Sequence, residues 1–217
     1  MKQQLGIKVY YRSTIRTFAV IGILSSMICI MAFGLNTEKH VIHHSASIIP
    51  VVKKDSVASV NAFKQVYAVL TSPRCMNCHP SGDTPLQGED SHLHTMSPER
   101  GVEGKGVYAM KCSNCHQPTN TPGLHSPPGN PNWHLPPADM KMVFQGRTAH
   151  QLAKQLIDPK QNGYKDLEKL IEHADDGLVL AGWNPGEGRK LPPMSHAAFK
   201  KAWITWLTTG AYAPEEK

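Results

Sequence analysis

Four of the chain's five cysteines fall into two short motifs, Cys75-Met76-Asn77-Cys78-His79 and Cys112-Ser113-Asn114-Cys115-His116. Both read C-x-x-C-H, the attachment pattern of a covalent c-type haem. The spacing has a direct physical reason. A haem carries two vinyl groups on neighbouring pyrrole edges, and two thiols separated by two residues on a helical turn reach both as thioethers. The next histidine lies under the iron and supplies its proximal nitrogen. The motifs therefore predict two bound haems, one on Cys75, Cys78 and His79 and one on Cys112, Cys115 and His116.

Three other readings compete. Two C-x-x-C pairs also make a four-cysteine zinc site, which would leave a zinc-bound structural module. Here 33 residues separate Cys78 from Cys112, wider than a compact zinc ribbon, and zinc has no need of a histidine after each pair. Exported cysteines often form disulfides. Thiol oxidoreductases with adjacent pairs sit near a βαβ pattern that this sequence lacks. Coincidence is hard to credit for two motifs that consume every cysteine except Cys29. An offset of 37 residues also aligns the two stretches as C-x-N-C-H-x4-T-P, ending at Thr84-Pro85 and Thr121-Pro122. The similarity extends no further, so it is a local duplication rather than a repeat architecture.

Residues 18–35, FAVIGILSSMICIMAFGL, carry no charge and are long enough to cross a bilayer at the short end of the range. Lys2, Lys8, Arg12 and Arg16 precede them, which favours a cytoplasmic N-terminus. A retained anchor and a cleaved signal share this layout, and Ala32-Phe33-Gly34 offers a small-residue cleavage site. A buried core helix is the third reading. Cys29 lacks the preceding small residue of a lipoprotein signal. Both main readings place residues 36–217 outside the cytoplasm, the anchored one at the periplasmic face of the inner membrane. Residues 1–35 are thus a cytoplasmic stub with an anchor or signal, 36–56 a polar tether with solvated His40, His43 and His44, and 57–217 the domain. The formal charge of +6 falls to about +2 once the four N-terminal cations are set aside. No basic stripe is left for nucleic acid.

The sequence predicts a mainly α, cytochrome c-like dihaem domain with long Pro/Gly-rich loops. Aromatic residues are 7% and hydrophobic ones 40% of the whole chain, apolar segment included, so the domain is short of core-forming side chains. A bound cofactor is expected to fill part of its interior. Val60, Phe63, Val66, Tyr67 and Leu70 recur at helical spacing over 57–72, ending at Pro73. Ten of seventeen prolines lie between Pro80 and Pro137, where turns should dominate and wrap a haem. Thr148 and Gln151 form a capping-box pattern for a helix to about Ile157. Residues 164–174 present Leu167, Leu170, Ile171 and Ala174 on one face. Ser195 is the expected N-cap of a last helix to Thr209, closed by Gly210. Its stripe of Phe199, Trp203, Trp206 and Leu207 suits haem packing and ordinary core packing equally well. No alternating strand pattern appears.

Each iron then needs a sixth ligand or an open position. Position in the repeat favours His94, 15 residues after His79, and His134, 18 residues after His116. His173, at the edge of an apolar helical face, is their main rival, and Met194, after Pro192-Pro193, is a weaker candidate. His92, His125, His150 and His196 rank lower. Two histidines leave an iron at lower potential, a methionine raises it, and an open position permits peroxide reduction.

Residues 75–214 resemble the small dihaem c-type cytochromes of the isoquinoline 1-oxidoreductase subunit-like family. The resemblance rests on Pro85-Leu86-Gln87-Gly88, Cys112 to His116, and Pro131-Asn132-Trp133-His134-Leu135-Pro136-Pro137. Phe144-Gln145-Gly146-Arg147, the LVLAGWNPGEG stretch at 178–188 and the last helix extend it. It implies electron transfer, with a molybdenum hydroxylase that oxidises N-heterocycles or aldehydes as partner. In that family no methionine is relied on where Met194 stands. The chain itself has no molybdenum-cofactor or dinucleotide motif. The expectation is a membrane-associated carrier of single electrons between a redox enzyme and a respiratory acceptor. The alternative is a dihaem peroxidase-like enzyme with one open iron.

Overall fold

The computed structural model describes residues 53–216. The expected anchor or signal and most of the tether lie outside the described residues. Among the described residues no helix is long and apolar enough to cross a membrane.

The domain is mostly helical with few strands. Helix α1, Ser56–Leu70, opens on Asp55, whose carboxylate accepts the Ala58 N–H. It stops short of Pro73, because Thr71 and Ser72 turn their hydroxyls back onto the Tyr67 and Val69 carbonyls. Pro73 instead begins a second short helix, α2, Pro73–Met76, where its missing N–H is no loss. The first helix thus ends before Pro73 as expected, and a second short helix, which was not expected, carries Cys75.

Two antiparallel ladders follow, β1 (Leu86–Gln87) with β2 (His92–Leu93) and β3 (Gly106–Val107) with β4 (Met110–Lys111). Each strand has two residues, too short to show alternation in sequence. A 3-10 turn, Cys112–Asn114, carries the second motif. Helix α3, Ala149–Ile157, forms with the expected capping box, both Thr148–Gln151 bonds being present. Helix α4 spans Leu167–His173 rather than starting at 164. Asn162, buried, donates to the Leu156 and Lys165 carbonyls and holds the preceding residues as a turn, and Asp166 caps the helix. A five-residue helix, α5 (Gly177–Ala181), had no sequence signal. The last helix, α6, His196–Thr208, is capped by Ser195 as expected.

The core lies between α1 and α6, with α3 and α4 closing it. Phe63, Val66 and Val69 of α1 meet Phe199, Ala202, Trp203, Trp206 and Leu207 of α6, all buried. Phe63 and Trp206 pack with ring centroids 4.6 Å apart. The α6 stripe is thus core packing. Trp203 donates its indole N–H to Leu170 O at 2.6 Å, and Trp206 to Tyr212 O at 3.2 Å. Ser59, fully buried, donates to Trp206 O and accepts from Tyr212 N, tying the C-terminal segment to α1.

Between residues 77 and 147 this core is nearly absent. Leu86, Leu135 and Phe144 are its buried hydrophobics, whereas Leu93, Met96, Val102, Tyr108 and Leu124 are exposed. Polar ties hold the loops instead. Arg100, only 1% exposed, donates to Gly82 O and to Pro136 O and lies 3.4 Å from the Asp83 carboxylate. The loops approach so closely at Gly104 (φ +75) that a Cβ there would sit 1.9 Å from Leu135 O.

Trp206→Ala is expected to lower unfolding free energy by about 3–5 kcal/mol. Val57→Ala, at a surface site 71% exposed, should change it by less than about 0.5 kcal/mol. Guanidinium titrations of both variants check the contrast.

Candidate functional site

The two motifs reach the same local form on different helices. In the first, Cys75 sits in α2, and the Cys78 and His79 N–H groups bond Cys75 O and Met76 O at 3.2 and 2.9 Å. In the second, the Cys115 and His116 N–H groups both bond Cys112 O, at 3.2 and 2.9 Å. Each histidine then commits Nδ1 to a main-chain carbonyl, His79 to Met142 O and His116 to Pro128 O, both at 2.7 Å. A carbonyl only accepts, so Nδ1 carries the hydrogen and Nε2 is left as the bare nitrogen. That is how a metal-ligating imidazole is oriented. Each ring is also stacked on an aromatic side chain. Phe144 lies 3.9 Å from His79 at 11°, and Trp133 lies 4.1 Å from His116 at 7°.

The carbonyl at His79 belongs to a clamp. Phe144 N and Gln145 N both donate to His79 O, at 2.9 and 3.2 Å. The Gln145 side chain accepts from Ser81 N and Oγ. Behind the clamp, the buried Gln155 of α3 donates to Val143 O at 2.9 Å. The capping box that starts α3 thus fixes, through Gln155, the segment that orients His79.

Electrostatics narrow the chemistry. Burial pushes the Cys75 thiol up to about 12, with Cys78 adding to the effect. Burial also pushes Cys78 up to about 11, against the opposing charge of Arg74, and nearby Cys112 contributes to the rise. Redox-active thiols need the opposite, a depressed pKa. A thioether has no proton to lose, so burial imposes no ionisation penalty on it. Burial lowers His79 to about 4, against the pull of the Met142 bond, with His173 and Arg100 lowering it further. His116 is lowered by the same leading cause, with smaller contributions from His94 and Arg189. Both imidazoles are neutral at pH 7, as ligation requires. Cys75, Cys78, Cys112 and Cys115 form no disulfide. Among the described residues no three His, Cys, Asp or Glu groups gather to hold a bare metal ion, which is not the arrangement of a four-cysteine zinc site. The donors of each motif fit a covalently held haem.

A cleft of about 1290 Å³ opens beside His116, lined also by Trp133, His134 and His173, with the exposed apolar side chains of Val102 and Tyr108 at its wall. Such a volume exceeds the range of about 300–1,000 Å³ common for a single small-molecule site. His94 does not line this cleft, and its ring centroid lies 6.4 Å from that of His116. His134 bonds Asn132 O through Nδ1 at 2.5 Å, and His173 bonds the Asp176 carboxylate. Met194 packs against the α1–α6 core, and its carbonyl accepts the Trp183 indole N–H at 2.8 Å. It does not line the cleft. His92, His150 and His196 are engaged by Asp90, Pro214 O and Ala174 O. Met142, Pro128, Phe144, Trp133 and Gln155 complete the site and had no role in the sequence reading. Of these, Trp133 and Phe144 stood inside stretches that the sequence singled out.

No protein-family model, curated protein or solved structure matches the chain.

Gln155→Leu keeps the volume of α3's inner face and removes the tie to Val143. Leaving a buried carbonyl unpaired costs about 1–3 kcal/mol. The Phe144 and Gln145 amides should therefore exchange hydrogen about tenfold faster or more, with Cys115 and His116 unchanged. Amide exchange by NMR checks this, and equal acceleration at both motifs would contradict it.

Proposed function

We propose that the domain is a dihaem c-type cytochrome that passes single electrons between an exported or membrane redox enzyme and a respiratory acceptor. The observation that carries the reading is the matched pair of sites. Two C-x-x-C-H turns each present two cysteine sulfurs and a neutral histidine with Nδ1–H tied to a carbonyl. Cys75 and Cys78, and Cys112 and Cys115, would hold the haems as thioethers, with His79 and His116 as proximal ligands. Bound haem supplies reversible one-electron chemistry at iron.

What the chain contributes is orientation, burial and proton placement. The carbonyls of Met142 and Pro128 keep each proton on Nδ1 and raise the basicity of the opposite nitrogen. The hairpin tied to Asn77 of the first motif brings His94 within 6.4 Å of the His116 ring, centroid to centroid, so the two haem units would be neighbours. The carrier is held at the outer face of the inner membrane by the N-terminal segment. The family resemblance makes a molybdenum hydroxylase the proposed donor. None of these steps calls for a catalytic acid or base.

A second reading, a dihaem peroxidase-like enzyme with one open iron, is favoured by the cleft beside His116. Potentiometric titration followed optically, with carbon monoxide added to the reduced protein, separates the two. The carrier gives two one-electron waves and no carbon monoxide shift. A shift at either haem supports the enzyme, and the absence of any redox wave refutes both.

A further inference from the structure

We propose that His94 supplies the sixth ligand to the iron held by His116, so that a hairpin of the first haem unit closes the second. The assignment rests on the haem reading above. The His94 and His116 rings have centroids 6.4 Å apart and planes at 65°. Two imidazoles bound on opposite sides of one metal, each through nitrogen at about 2.0 Å, have centroids about 6.3 Å apart, because a ring nitrogen lies about 1.15 Å from its centroid. A direct hydrogen bond between the rings would bring the centroids to about 5.2 Å. The observed spacing matches that of two ligands on a shared metal and exceeds that of a directly bonded pair.

The hydrogen bonding of His94 points the same way. Its side chain makes no hydrogen bond to the described residues, and its Nδ1 is sealed from solvent. Neither of its ring nitrogens is committed to another described residue, so both stay available to iron. The rivals His134 and His173 hold Nδ1 on Asn132 O and Asp176, which leaves Nε2 free, but the ring neighbours of His116 are His94 and Trp133.

The first motif itself aims this ring. Asn77, between Cys75 and Cys78, donates its amide to Gly88 O at 3.0 Å and accepts Leu86 N–H on its main-chain carbonyl at 2.9 Å. Leu86 pairs with Leu93 across the β1–β2 ladder, and His94 N–H bonds Pro85 O at 3.0 Å. Asn77 thus holds the hairpin that carries His94 toward His116.

The test uses the exported, haem-loaded protein, with haem counted as the pyridine haemochrome. His94→Ala should retain two haems, and on reduction one more haem than in the unmodified protein should bind carbon monoxide. His94→Met, which keeps a ligand at that position, should convert one haem's near-infrared bis-histidine band to a histidine–methionine band and raise that haem's potential. To identify the iron, His94→Ala is placed in a chain with Cys75→Ser and Cys78→Ser, where the remaining haem should become open to carbon monoxide. Two haems with unchanged bands in both single variants overturn the assignment. So does carbon monoxide binding confined to the complementary chain with Cys112→Ser and Cys115→Ser. An unmodified protein without covalent haem refutes the haem reading itself, and the haem count tells that failure from a wrong ligand.

Discussion

Two hydrogen bonds, from the Nδ1–H of His79 to Met142 O and from that of His116 to Pro128 O, are what the loop half of the domain is arranged to hold. Each fixes a tautomer, turns the opposite nitrogen outward and sets the ring plane that an aromatic neighbour then supports. Removing such an outer partner commonly costs about 10–100-fold in metal affinity. The segment at 142–145 is accordingly clamped to the His79 main chain and tied to α3 by Gln155. The two bonds are alike in geometry although their carbonyls come from unrelated places, 63 and 12 residues along the chain.

The architecture divides labour. The α1–α6 core, with Phe63 and Trp203 in contact with Trp206, supplies the hydrophobic stabilisation. The loop half relies on directional bonds, among them the buried Arg100 that joins the segments at Gly82 and Pro136. Loops fixed this way can present exposed apolar residues such as Val102 and Tyr108 without collapsing onto them. That suits a site whose ligand has a large apolar face, and on the proposed reading the haems serve in the place of a second core.

Much of this was legible in the sequence where side chains act locally. The capping box at Thr148 and Gln151 and the Ser195 cap fixed two helix starts, because the signal is the residue type itself. The helical period of α1 and its end before Pro73 were legible too, but not the short helix that Pro73 begins. The motifs announced the six residues on which the proposed reading rests. What surrounds them did not show, for a physical reason: Met142 and Pro128 contribute only carbonyls, which every residue owns. Phe144 and Trp133 act through stacking that depends on the fold. The histidine candidates illustrate the same limit. Counting residues from each motif gave His94 and His134, but only the fold shows that His94, close in sequence to the first motif, stands beside the histidine of the second.

The central claim is that four sulfurs are bonded to two porphyrins. Intact-mass spectrometry of the denatured, purified chain, after cytochrome c maturation in an exporting host, tests it directly. The account predicts a mass above that of the polypeptide by two haems that denaturation does not release. A mass equal to the bare polypeptide, with all the motif thiols free to alkylate, would contradict it.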